Sequence, residues 1–352
     1  MNCKYSKIAP SILADKNYHM ASELTEKEIK TLLAKLPELK TEIQKVIVGQ
    51  DQIIDELLVA FLAGGHCLLE GVPGLAKTLL VKTMSQALKL SFRRIQFTPD
   101  LMPTDIIGTE ILEEDHATGK RFFKFNRGPI FANIVLADEI NRTPPKTQSA
   151  LLEAMQEFEV TYGGQTYPLD KPFFILATQN PIEQAGTYPL PEAQLDRFLL
   201  LIKIGYPTEQ EEFEVLNRTT GTRKAELKPV ITAEEIQQAQ ALVRQVNINE
   251  DLVRYVSQLI RATRPDTTTV PYVKEWVRWG AGPRAGQALI LTAKARALLK
   301  GRYAVLPEDI HTMAIPVLRH RILTNFKAEA EGITSDKVTE ELIKVIERPT
   351  SK

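Results

Sequence analysis

The chain has 352 residues, 43% of them hydrophobic and 25% charged, and its 44 Lys plus Arg balance 44 Asp plus Glu to a net charge of zero. That length allows two domains or one large one, and the composition is that of a soluble globular protein. The charge balance argues against a protein built around a nucleic-acid backbone. Cys3 and Cys67 are too few and too far apart for a disulfide framework or a zinc site, and the five histidines show no H-E-x-x-H or other paired spacing.

Residues 1–18 lack the apolar core of a secretory signal, and no apolar run approaches the roughly 18 residues of a membrane span. A cytoplasmic location is therefore expected, with residues 1–24 read as a tail. From Thr25 to Val46 apolar residues recur at helical spacing, interrupted by Pro37, which predicts two helices or a kinked one. A second amphipathic helix runs past Ile53 to Phe61 and ends at Gly64-Gly65. His66 to Leu69 then starts a core strand.

Glu70-Gly71-Val72-Pro73-Gly74-Leu75-Ala76-Lys77-Thr78 follows that strand and opens the helix beginning Leu79-Leu80-Val81. A strand, a glycine-bearing turn and Lys-Thr at a helix start describe a phosphate-binding loop. The first helical N–H groups have no intrahelical partner and carry partial positive charge, so they suit a polyphosphate. Lys77 would reach the phosphates and the Thr78 hydroxyl would hold Mg²⁺. Ala76 stands where the general pattern G-x-x-x-x-G-K-[ST] has its second glycine. The loop is expected to tolerate it by keeping φ negative there.

Further along, Phe92–Phe97 reads as a strand, and Ile111-Leu112 with Arg121–Phe125 as a hairpin about Thr118-Gly119. Phe131–Ala137 is a nearly continuous apolar run that Asp138-Glu139 ends, as in a strand buried on both faces. Thr147–Phe158 is a helix, Glu159–Tyr162 and Gln165–Tyr167 flank Gly163-Gly164 as a second hairpin, and Phe173–Thr178 and Leu199–Ile204 complete the strands. Alternating strands and helices predict a doubly wound α/β fold with ligand at the strand carboxyl ends. Beyond Tyr206-Pro207 only helices are expected, over 232–243, 249–262, 283–299, 306–319 and 335–346. The domain boundary is placed at 208, giving an α/β domain over 25–208 and an all-helical one over 209–352. The short runs Arg93-Arg94 and Arg319–Arg321 read as solvated faces.

Asp138 would orient a metal-bound water and Glu139 would polarise the water that attacks a γ-phosphate, although Asp-Glu after a strand also suits a helix N-terminus. Asn180, ending the next strand, could help position that water or simply form an Asn-Pro turn. Arg197 in Leu195-Asp196-Arg197-Phe198 could be a surface ion-pair partner. Arg284, in the first turn of a helix, is badly placed for a cation unless an anion or solvent compensates.

Over about residues 40 to 325 the chain resembles the AAA+ ATPase superfamily, and within it the MoxR branch. The carriers, in order, are Val48-Gly49-Gln50, the 71–78 loop, Val135–Arg142, Ala177-Thr178-Gln179-Asn180-Pro181, Leu190–Phe198 and Gly282-Pro283-Arg284-Ala285. Ala76 agrees with that branch. The resemblance implies ATP and Mg²⁺ as ligands. Lys77 and Thr78 would be Walker A, Asp138 and Glu139 Walker B, Asn180 sensor 1 and Arg284 sensor 2, with Val48, Gly49 and Gln50 near the adenine and Gly71–Leu79 around the phosphates. Arg197 matches an arginine finger supplied to a neighbour, with Arg142 and Arg127 as weaker candidates. It also implies a ring, commonly a hexamer, a helical lid, hairpin insertions, and a chaperone-like remodeller working with partners that bear a von Willebrand factor A domain. A nucleic-acid-stimulated motor and a nucleotide-bound scaffold without turnover are the alternatives, and the absence of an Asn-Lys-x-Asp motif argues against GTP.

Overall fold

The computed structural model describes residues 25–114, 119, 121–181, 186–221 and 225–346. The expected tail and the turn residue Thr118 lie outside them. Strands are numbered throughout and helices of eight residues or more are labelled. α1 (Glu26–Gln44) and α2 (Asp51–Leu62) lead into β1 (Cys67–Gly71), α3 (Lys77–Ala87) and β2 (Phe92–Gln96). β3 (Gly108–Glu114) and β4 (Arg121–Arg127) form an antiparallel hairpin ahead of β5 (Ile134–Asp138) and α4 (Pro145–Glu157). β6 (Glu159–Tyr162) and β7 (Gln165–Pro168) form a second one before β8 (Phe174–Gln179) and β9 (Leu200–Ile204).

α1 starts at a capping box in which Thr25 and Glu28 satisfy each other's backbone N–H. It is a single helix carrying Pro37 in its interior, not two. The buried stripe of Leu32, Leu36, Leu39 and Ile43 spans the proline, so packing on both sides outweighs the one backbone bond it removes.

Five strands form a parallel sheet in the order β2-β5-β8-β1-β9. Alternate residues face opposite cores. Cys67, Leu69, Ile134, Leu136, Phe174 and Leu176 pack toward α1–α3, while Leu68, Val135, Ala137, Ile175 and Ala177 pack toward α4. Both faces are therefore covered over the central strands, which is why β5 and β8 read as nearly unbroken apolar runs, whereas the edge strand β2 alternates. The chain leaves β1 in one direction to build β2, β5 and β8, and β9 lies on its other side. The carboxyl end of β1 is thus the point where strand order reverses, where such sheets bind ligands.

After Ile204 the longer elements are helical: α5 (Glu209–Thr219), α6 (Ala233–Gln245), α7 (Glu250–Ala262), α8 (Pro283–Leu299), α9 (Pro307–Leu318) and α10 (Ser335–Val345). Helix α5 and a two-stranded ribbon, β10 (Val277–Trp279) with β11 (Leu323–Thr324), escaped the sequence reading. α5 buries no residue and so lacks an apolar signal, and the ribbon strands are too short for one. α8 packs against α2, α7 and α9, and its buried residues join the same core as α1 and one face of the sheet.

Candidate active site

The phosphate loop follows from a close approach. A Cβ on Gly71 would stand 2.8 Å from the Ile204 carbonyl of β9, so the end of β1 requires glycine. Gly74 has φ +87° with open space around it, and Ala76, the residue before α3, has φ +54°. The expected negative φ at Ala76 is therefore wrong. The loop imposes a left-handed turn, and Ala76 carries a strain of about 1–2 kcal/mol. Gln50 (φ +57°) and Glu139 (φ +58°) are left-handed too, so three of the five such non-glycine residues among those described are predicted site residues. Strain of this kind concentrates where surrounding structure enforces a functional geometry.

The first backbone hydrogen bond of α3 to reach back into the loop is from Leu80 N–H to Ala76 O, which leaves the N–H groups of Lys77, Thr78 and Leu79 free of helical partners. They border a groove of about 460 Å³ lined also by Pro73–Ala76, Arg94, Asp138, Glu139, Thr178 and Asn180. Lys77 Nζ donates to the Gly71 carbonyl at 2.5 Å. Its partial burial pushes the ammonium pKa down, and the negative charges of Asp138 and Glu139 pull it back up.

Asp138 ends β5, and Thr178 is the penultimate residue of the neighbouring strand β8. The buried Thr178 hydroxyl donates to Asp138 Oδ1 at 2.5 Å and accepts from the Glu139 N–H at 2.9 Å, fixing both acidic residues. Asp138 Oδ2 receives Arg94 Nη2 at 2.6 Å and Nε at 3.0 Å. Glu139 Oε2 receives Gln96 Nε2 at 3.0 Å and pairs with Arg142 Nε at 2.9 Å. Arg94, Gln96 and Thr178 were not singled out as site residues from the sequence; Arg94 is exposed, as expected, and in addition reaches Asp138. The available signal was alternation along β2: Gln96 is the register partner of Asp138, and Arg94 shares its face two residues earlier.

Gln50 lines a separate depression with Asp51, Glu56, Lys203, Glu211 and Arg319, and its Oε1 is buried with no partner among the described residues. Val48 and Gly49 immediately precede it.

The predicted arginines lie elsewhere. Arg197 and Arg284 line a cleft with Gly65, His66, Asp196 and Arg321. Gly65 and His66 precede β1 whereas the phosphate loop follows it, so the length of the strand, roughly 16 Å, separates cleft from groove. Arg284, expected beside the nucleotide, does not line its own chain's groove. It faces Asp196 at 3.6 Å, because α8 packs on α2 and carries its N-terminus to the far end of the strand. Arg197 Nη1 donates to the Leu152 carbonyl at 2.8 Å. Arg127 lies over the Phe131 ring, 5.0 Å from its centroid, and Arg142 is engaged by Glu139 of the same chain.

Arg321 corrects the reading of Arg319–Arg321 as a solvated run. It is 8% exposed and donates to Asp196 Oδ1 (2.7 Å) and to the carbonyls of Phe198 (2.7 Å), Leu199 (3.1 Å) and Val317 (2.6 Å). Burial lowers its pKa and Asp196 opposes that shift. The helical region is thereby fastened to the segment that carries Arg197.

A strand–loop–helix with a lysine amine, two strand-end carboxylates and a polar sensor position around one groove defines a phosphate-loop nucleotide site. Residues 66–200 match the family described as ATPase family associated with various cellular activities (AAA), and residues 272–342 match the AAA lid domain. The chain is 45% identical over 309 residues to Chaperone MoxR1 of Mycobacterium tuberculosis, covering 88% of this chain and 81% of that one. It is 42% identical over 328 residues to the uncharacterized protein YeaC of Bacillus subtilis, covering 93% and 98%. The crystal structure of a candidate ATPase from Cytophaga hutchinsonii superposes with a TM-score of 0.85 at 43% identity, covering 92% of this chain and 97% of that one. The chain belongs to the MoxR family of AAA+ ATPases.

Proposed function

We propose that the chain binds and hydrolyses Mg-ATP at sites shared between subunits of a ring, and uses the cycle to remodel partner proteins. The observation that carries this reading is the separation within one chain. The groove has Lys77, Thr78, Asp138, Glu139 and Asn180, while Arg197 and Arg284 stand at the other end of β1. An arginine that far away cannot serve its own groove, but it can serve that of a neighbour.

The groove fits the ligand. Three unpaired N–H groups and an ammonium suit a polyphosphate. Thr78 and Asp138 are hard oxygen donors, and they suffice for magnesium because that ion takes its remaining ligands from phosphates and water. No group of three or more His, Cys, Asp or Glu competes as a metal centre among the described residues. When bound, magnesium would neutralise phosphate charge. Lys77 would exchange the Gly71 carbonyl for phosphate oxygen, and Glu139 would leave Gln96 and Arg142 to accept a proton from the attacking water. The orphaned Gln50 Oε1 suits an exocyclic amine such as that of adenine.

The relative named as a chaperone supports a remodelling role, and the zero net charge supports a protein client over nucleic acid. A hexameric ring, partners with von Willebrand factor A domains and a cytoplasmic location belong to the same proposal; no helix among the described residues is long and apolar enough to cross a membrane. The test is ATP binding with magnesium by wild type and Lys77→Ala, followed by phosphate release across protein concentrations. Retention by wild type, loss in the variant and a rate per chain that rises with concentration are expected. Absence of nucleotide binding by wild type would overturn the reading.

A further inference from the structure

We propose that Arg94 is the counter-ion of Asp138 when no divalent cation is present, and that it thereby sets how strongly nucleotide binding depends on magnesium. The inference rests on the Mg-ATP reading of the same groove. Both oxygens of Asp138 are taken by the protein itself. Oδ1 accepts from the Thr178 hydroxyl at 2.5 Å, and Oδ2 accepts Nη2 and Nε of Arg94 at 2.6 and 3.0 Å. The two donors differ in kind. Thr178 is buried and neutral, so it can stay while a cation arrives. Arg94 is charged and about half exposed (47%), on a carboxylate that is only 13% exposed. A cation using this carboxylate, directly or through water, takes lone pairs that the guanidinium holds and sets like charge beside it. Arg94 must then turn out to solvent, which its position on the edge strand β2 permits.

This exchange of one cation for another has two opposite consequences. Without metal, Arg94 cancels a carboxylate that would otherwise repel a polyphosphate. With metal, it is a competitor. Removing the guanidinium should weaken metal-free nucleotide binding and strengthen metal-dependent binding. A residue that merely held β2 in place would shift both alike, and a residue that gripped phosphate would weaken both. Arg93, one residue earlier on the opposite strand face, does not line the groove and serves as the control.

The experiment measures the Kd of a fluorescent, non-hydrolysable ATP analogue on the full chain, in EDTA and in saturating magnesium, and reports the ratio of the two. Arg94→Gln is expected to raise that ratio about five- to tenfold, the size of a half-exposed charge-assisted pair, while Arg93→Gln leaves it unchanged. In an Asp138→Asn background, Arg94→Gln should no longer move the ratio, because the partner it neutralises is gone. A ratio unchanged or lowered by Arg94→Gln, or a shift that persists in Asp138→Asn, overturns the counter-ion role. Failure of wild type to retain the analogue in magnesium removes the nucleotide reading and this inference with it. Retention with an unmoved ratio removes this inference alone.

Discussion

Replacing Arg321 by alanine is expected to destabilise the chain by about 3–4 kcal/mol and to lower ATP turnover without loosening nucleotide binding. The guanidinium is 8% exposed and bonds Asp196 Oδ1 and the carbonyls of Phe198, Leu199 and Val317. The Phe198 carbonyl would keep His320 Nε2 at 3.0 Å, but those of Leu199 and Val317 would lose this donor. Each buried group left unsatisfied costs about 1–3 kcal/mol, and loss of one partner of a buried ion pair about 3–5 kcal/mol in all. Asp196 is about a third exposed (35%), so water takes part of its charge and the lower half of that range is expected. Arg321→Lys keeps the charge but not the planar fork, and should recover less than half. The functional effect follows from sequence adjacency: Asp196 and Phe198 flank Arg197, so freeing them disorders that arginine while the groove at the other end of β1 is untouched. Urea unfolding, nucleotide Kd and phosphate release on the same samples measure all three. A stability loss under about 1 kcal/mol, or full rescue by lysine, would mean that the Arg321 fork does not hold the helical region to Asp196–Leu199.

Glu139→Gln should bind ATP within about twofold of wild type yet hydrolyse it at least a hundredfold more slowly, the scale of a lost general base, as read by phosphate release. Ala76→Gly should retain nucleotide affinity and be stabilised by up to about 1 kcal/mol, since relief of left-handed strain outweighs the added freedom of the unfolded chain. Ala76→Val should lose at least about 2 kcal/mol in urea unfolding, because a β-branched residue is poorly accommodated at φ +54°. Burial lowers the pKa of His66 from 6.5 to about 4 and pushes that of His320 well down as well. The unfolded chain therefore binds these protons first as pH falls, so stability is full above pH 6.5 and declines from there toward pH 4. Between pH 7 and 5 His66 alone should remove about 2 kcal/mol, and urea midpoints at the two pH values check it.

The sheet was legible because both of its faces are covered: a strand such as Ile134–Asp138 shows an unbroken apolar run that stops at its carboxylate. The loop before α3 was legible because glycine spacing and Lys-Thr are local features. What could not be read was set by contacts between distant segments. Arg94 and Gln96 matter only because β2 pairs with β5 in that register. Arg321 looks like a surface residue until the helical region folds back on Asp196–Leu199, more than a hundred positions earlier. The φ of Ala76 belongs to the loop and not to alanine, and Arg284 ends up far from its own groove because of where α8 packs.

If one subunit holds the nucleotide and another completes the site, two variants that are each inactive should complement one another when mixed. Arg197→Ala keeps an intact groove but has no arginine to lend, and Lys77→Ala has the arginine but a crippled groove. Each alone should be nearly inactive, with a trans arginine contributing roughly a thousandfold or more. Co-assembled in equal amounts, they should recover a substantial fraction of wild-type phosphate release. A mixture that stays at the sum of its two components would mean that no arginine is lent between subunits.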